Sequence, residues 1–215
     1  MRRILMLITF ALLLISTWMA FTVGEVVPSE KNITFEKNII YVHVPSAICS
    51  TLCFLVLFVV GIFYLVTNKP IWDYIGAASA EAALVFATVL NATGSIFSRP
   101  FWNTWWTPSP RLISSAILWF LCVAYLILRA NIQNLRYRAR ICAVFGIIAF
   151  LDVPMIYITA RLMADQHIDN VKFESALQRA SFGLSILSIA LLAALLIWLK
   201  TDILKSKAIF ENEMT

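Results

Sequence analysis

Trp102-Asn103-Thr104-Trp105-Trp106-Thr107-Pro108-Ser109-Pro110-Arg111 sets three of the chain's seven tryptophans within five positions, between two long apolar runs. Those runs, about Ile75 to Phe97 and Leu112 to Leu128, are each long enough to cross a hydrocarbon core of roughly 30 Å as a helix. Indole rings between two such spans lie comfortably at a membrane-water interface, so an aromatic belt accounts for the cluster without any ligand. A platform for a flat apolar ligand accounts for it equally. With helical character, Trp102, Trp105 and Trp106 fall at i, i+3 and i+4 on one face, and Arg99 and Arg111 at the edges offer guanidiniums to anionic groups.

Outward from this loop, four further segments have the length of a span: about Ile4 to Val23, Val44 to Val66, Ile141 to Ala160 and Phe182 to Leu199. The chain has 215 residues, of which 61% are hydrophobic and 13% charged; its mean hydropathy is +0.84. So few charges cannot cover a soluble domain of this size, and the composition predicts an all-α integral membrane protein of six transmembrane helices. The expected organisation is a single membrane domain over residues 1–215, a tryptophan-rich loop over 98–111 between the third and fourth helices, and a cytoplasmic tail over 201–215. The first apolar stretch approaches 20 residues and Trp18-Met19-Ala20-Phe21 is a poor cleavage site, so the segment is expected to remain as the first helix.

Orientation follows from the basic residues. With both termini cytoplasmic, Arg2, Arg3, Lys69, Arg129, Arg136, Arg138, Arg140, Lys200, Lys205 and Lys207 lie inside, ten of the 17, beside four acidic residues. Outside lie Lys31, Lys37, Arg99, Arg111, Arg161, Lys172 and Arg179, seven beside six acidic residues, which leaves +6 inside against +1 outside. This is the positive-inside pattern and faces the tryptophan loop outward. It also explains the pI near 9.2 without a nucleic-acid partner.

The two histidines, His43 and His167, both fall on the outer side, one where the chain enters the second helix and one just after the fifth. An interfacial histidine is commonly a solvated or capping residue. Two at one depth beside the tryptophan loop also suit a metal or haem iron taking one imidazole from each side. Two carboxyl groups fall inside spans. Such costly groups are functional suspects by default; the alternative for Glu81 is protonation or a hydrogen bond to a neighbouring helix through Ser or Thr, and for Asp152, two residues before the helix-kinking Pro154, a structural bond is the favoured account. The four cysteines, Cys49, Cys53, Cys122 and Cys142, lie at membrane depth and are expected to pack as small apolar groups. The sequence has no CxxC, zinc spacing, P-loop, GxGxxG or nucleophile-and-base order, and the sequons at Asn32 and Asn91 read as chance matches.

Three motifs, Asn38-Ile-Ile-Tyr-Val-His43-Val-Pro-Ser-Ala47, Thr93-Gly94-Ser95 through Arg99-Pro100-Phe101-Trp102-Asn103-Thr104-Trp105-Trp106 to Arg111-Leu112, and Asp152-Val-Pro-Met-Ile-Tyr157 followed by His167, carry a family signature. Together they resemble haem exporter protein C of cytochrome c maturation, the CcmC family, over about residues 36–200. The resemblance implies a six-helix haem-handling protein of the cytoplasmic (inner) membrane that holds haem b on its periplasmic face. His43 and His167 look like the axial ligands, Trp102, Trp105 and Trp106 the haem platform, and Arg111 a propionate partner. Implied partners are the ABC-type subunits CcmA and CcmB, the small subunit CcmD, and the periplasmic haem chaperone CcmE, and no enzymatic activity is implied for this subunit. The chain departs from the family where Pro108 and Ser109 replace the loop's usual Trp and Asp, and where Asn38 replaces a basic residue. Two other classes of function compete: a permease-like subunit with Glu81 and Asp152 along a path, and an assembly subunit with an aromatic belt and no ligand.

Overall fold

The structure, a computed structural model, describes residues 2–23, 36–162, 173 and 175–213, and every regular element among them is helical. Six helical segments are long and apolar enough to cross a membrane, and they match the six runs read from the sequence. The elements are α1 (Arg2–Thr22), a 3-10 turn (Glu36–Ile39), α2 (Ile40–Thr67), α3 (Pro70–Trp102), α4 (Pro110–Asn131), α5 (Leu135–Phe150), α6 (Asp152–Leu162) and α7 (Ala176–Glu213).

The helices run past the expected boundaries, and the causes are local. Pro70 and Pro110 open α3 and α4 from the first helical position, where a missing N–H costs nothing. Asn68 and Asn103 close α2 and α3 in the left-handed conformation, at φ 52° and 56°, a backbone state that asparagine tolerates better than most residues. Both Pro45 and Pro100 lie inside helices. Within the 98–111 segment only residues 103–109 lie outside helices, and α7 is helical through Glu213.

The fifth span is two helices. α5 ends at Phe150 and α6 begins at Asp152, because Pro154 lacks the donor that Phe150's carbonyl would take and its ring crowds that carbonyl.

α2 and α3 form the centre, with α2 also packed on α5 and α7 and α3 on α4 and α7. Small residues let them approach: Ala80 and Ala83 of α3 are fully buried in the same core cluster as Cys53 and Phe54 of α2. At the α2/α5 crossing a Cβ on Gly146 would lie 2.8 Å from Leu57 Cγ, so the helices meet without room for a side chain. All four cysteines are free and at most 2% exposed, packing as anticipated.

Polar braces tie the bundle at the end opposite the tryptophan loop. Arg129 of α4 donates two hydrogen bonds to Asp73 of α3, at 2.6 and 2.8 Å; Asp73 is buried and Arg129 partly so. Arg2 pairs with Asp202 and lies over the Trp198 ring, which puts the start of α1 and the far part of α7 at one end. Glu81 has a partner other than the expected Ser or Thr, an ion pair with Lys200 of α7 at 2.8 Å. The bond expected of Asp152 is also missing at Oδ2, which is buried with no hydrogen-bond partner.

Candidate functional site

At the tryptophan end, α2, α3, α4, α6 and residues of the 103–109 loop enclose a cavity of about 510 Å³, within the roughly 300–1,000 Å³ of small-molecule and cofactor sites. Most of its wall is aliphatic or aromatic. Among the described residues lining it, Arg111 and Arg161 are the permanently charged ones and none is acidic.

His43 enters this wall from the first turn of α2. Its Nδ1 lies 3.0 Å from Thr93 Oγ1 on α3. The Thr93 hydroxyl proton is engaged by helix carbonyls, Val89 O at 2.6 Å and Leu90 O at 3.2 Å, so its oxygen faces the imidazole as an acceptor. The ring therefore donates from Nδ1, and in the neutral form Nε2 holds the lone pair. The next residue, Gly94, fixes the ring by shape: a Cβ there would meet His43 Cε1 at 3.2 Å, so the imidazole lies against bare α3 backbone. Thr93-Gly94 thus orients His43 by a hydrogen bond on one atom and close contact on another.

The tryptophans do not form the single face that i, i+3, i+4 spacing allows, because the helix stops at Trp102. Trp102 lines the cavity beside Phe97, whose ring stacks on Phe101 at 4.2 Å and meets Trp102 edge-on at 5.9 Å. Past the left-handed Asn103 the chain turns. Trp106 still lines the cavity, whereas Trp105, 60% exposed, is not among its lining residues. Arg99, which the sequence offers as a second guanidinium for a ligand, is committed elsewhere: its Nη1 donates to Asn103 O at 2.6 Å and to Asn103 Oδ1 at 2.7 Å, capping the carbonyl end of α3. Ser109 precedes α4 in extended conformation, and its hydroxyl is buried without a hydrogen-bond partner.

Arg111 lies in the first turn of α4 and lines the cavity. Arg161, in the last turn of α6, lines it too, although sequence reasoning counted it only toward orientation. The signal available was Tyr157, four residues earlier, which shares its helix face and also lines the cavity. Asn91, read as part of a chance sequon, forms a reciprocal clamp in the same wall: Ser115 Oγ donates to Asn91 Oδ1 at 3.0 Å and Asn91 Nδ2 to Ser115 O at 3.4 Å. His167 lies outside the described residues. Neither Glu81 nor Asp152 lines the cavity.

Among the described residues no group of three or more His, Cys, Asp or Glu side chains comes together to hold a bare metal ion. One oriented imidazole, aromatic walls and two cations instead match a ligand that brings its own equatorial donors, a flat apolar macrocycle with anionic substituents. The residues present fit haem.

Comparison with known proteins gives a family match over nearly the whole length: the family described as CcmC, Heme exporter protein C, matches residues 1–214. Heme exporter protein C of Escherichia coli (strain K12) is 28% identical over 162 residues, covering 74% of this chain and 66% of the relative. Its namesake in Rhodobacter capsulatus is 30% identical over 97 residues, 45% of this chain and 40% of the relative. In Paracoccus denitrificans the figures are 28% over 111 residues, 52% and 46%. The chain thus spans less than two thirds of the length of these curated relatives.

Proposed function

Because this chain belongs to the Heme exporter protein C family, we propose that it binds haem b in the cavity at the tryptophan end and presents it on the periplasmic face of the inner membrane. The recipient is a periplasmic haem chaperone, CcmE, and the setting is c-type cytochrome maturation beside CcmA, CcmB and CcmD. The observation that carries this reading is the His43 imidazole, held with Nδ1 3.0 Å from Thr93 Oγ1, in a cavity whose described lining has two arginines and no acidic residue.

His43 supplies one axial nitrogen. His167 supplies the other; it follows Arg161 by six residues, and Arg161 is already on the cavity wall. Trp102 and Trp106 provide stacking area, Arg111 meets a propionate, and the excess of basic residues at the opposite end sets that end in the cytoplasm. When bound, haem supplies the iron and its redox chemistry. The protein's part is to orient an imidazole, keep one face apolar and leave the rim within reach of a water-soluble partner. No bond-making step is required of this subunit.

A permease role is supported less well, since Glu81 pairs with Lys200 and neither Glu81 nor Asp152 borders the cavity. Purification in detergent and visible spectroscopy test the proposal. Two neutral imidazoles give a six-coordinate, low-spin spectrum, and His43→Ala and His167→Ala should each alter the Soret and alpha bands. A double variant with the parent spectrum would rule out ligation by either.

A further inference from the structure

We propose that the start of α5, at the end opposite the tryptophan loop, binds the headgroup phosphate of an anionic phospholipid, with Arg136, Arg138 and Arg140 as its cations. These residues belong to a different end of the molecule from the cavity, and none of them lines it. All three fall within the first six residues of α5, which has no acidic residue in its first turn. A helix start is already positive, so cations there oppose the macrodipole, and Arg136 and Arg140, four apart, meet as like charges on one face. Nothing in the described protein offsets this. None of the three guanidiniums has a hydrogen bond or ion pair with a described residue, and Asp73, Asp202 and Glu211 are engaged by other cations, Arg129, Arg2 and Lys207.

The local hydrogen bonding points the same way. Arg138 is partly buried, and its Nε is shut away with no partner; Trp72 Nε1 of α3 is likewise. Trp72 packs on the cluster of Tyr64, Ala139 and Ala143, and Ala139 adjoins Arg138, so both orphan groups border one seam between α3 and α5. Both are donors, and what the seam lacks is an acceptor. Depth identifies the source of that acceptor. Tyr64, whose hydroxyl donates to Arg136 O at 3.5 Å, Trp72 and Tyr137 set amphipathic rings at this end, the residue types that settle at headgroup level. Leu135 and Tyr137, each 60% exposed, alternate with the arginines. Exposed apolar groups beside unpaired guanidiniums complement a phosphate that carries acyl chains, whereas a soluble phosphate would use the cations alone.

The test titrates purified full-length protein in neutral detergent with phosphatidylglycerol, cardiolipin or phosphatidylcholine of matched chains and measures bound lipid by native mass spectrometry. The parent should bind the two anionic lipids more tightly than phosphatidylcholine. Arg136→Gln combined with Arg140→Gln should weaken phosphatidylglycerol about 25-fold, from roughly fivefold for each basic residue near an anionic headgroup. Phosphatidylcholine binding should stay unchanged, which also reports an intact fold. The corresponding double Lys variant should fall between, since it keeps the charges and loses the planar forks. Parent-like phosphatidylglycerol affinity in the double Gln variant overturns the site, as does an equal loss for all three lipids or a parent that shows no preference among them. Sodium phosphate at millimolar concentration should leave phosphatidylglycerol bound; displacement would identify a soluble phosphate as the ligand and overturn the lipid assignment.

Discussion

Thr93→Val keeps the branched shape at position 93 and removes the oxygen that lies 3.0 Å from His43 Nδ1. The carbonyls of Val89 and Leu90 lose only a second partner, because both lie within α3, so little change in stability is expected. The effect should appear in the imidazole. A neutral hydrogen bond contributes about 1 kcal/mol net, so the preference for the Nδ1–H tautomer should fall by a factor of about 5. With only two histidines in the chain, ring carbon and nitrogen shifts of histidine-labelled protein resolve this without any ligand bound. In the haem-loaded protein, loss of the Nδ1–H acceptor makes the ligating nitrogen less basic. The iron midpoint potential should therefore rise and haem affinity drop by roughly 10- to 100-fold. Thr93→Ser, which restores an oxygen, should recover both. A Val variant with the parent tautomer ratio and the parent potential would refute the claim that Thr93 sets the ligand's orientation.

The tryptophans should separate, with Trp106→Ala lowering haem retention by about 1–3 kcal/mol of lost aromatic contact and Trp105→Ala changing it little; identical occupancy in both variants and the parent would leave only an interfacial belt. Arg129→Leu strands the buried Asp73 carboxylate and should cost about 3–5 kcal/mol in unfolding from mixed micelles, whereas the double change with Asp73→Leu should recover much of that. Equal stability of single and double variants would mean that the pair is not a coupled unit. Single cysteines at Thr104 and Tyr137 should be labelled from opposite sides of the membrane, and cytoplasmic labelling at Thr104 would overturn both the orientation and the haem site.

The spans were legible because each is a long apolar run with few charges, a pattern that survives any error of a few residues at its ends. Those ends were less legible. The second and third spans are expected from Val44 and as far as Phe97, yet α2 starts at Ile40 and α3 runs on to Trp102, past Pro45 and Pro100, with the Arg99–Asn103 cap closing α3. His43, Trp102, Trp106 and Arg111 could be nominated from composition at one depth. Trp105 could not be told from Trp106, because the left-handed turn at Asn103 decides which indole faces inward. Arg161 escaped notice since 50 residues separate it from Arg111 and only the antiparallel return of α6 joins them. A threonine in an apolar run reads as ordinary back-bonding to its own helix, so the second role of Thr93, as an acceptor for α2, needed the fold.

The break at Leu151 gives the two sides of the cavity unequal stiffness. His43 sits on α2, which is locked against α3 and α5 through alanines, glycines and buried cysteines. Arg161 rides at the far end of α6, an 11-residue arm about 16 Å long that packs on α4 and joins α5 at an interrupted ladder. A tilt of about 10° at Leu151 would carry the tip of that arm some 3 Å, by lever geometry over its ~16 Å, while α5 stayed straight and the imidazole unmoved. One jaw of the cradle is therefore an anvil and the other a pivoting finger, a division of labour that the proposed binding and hand-over of a haem ring would use.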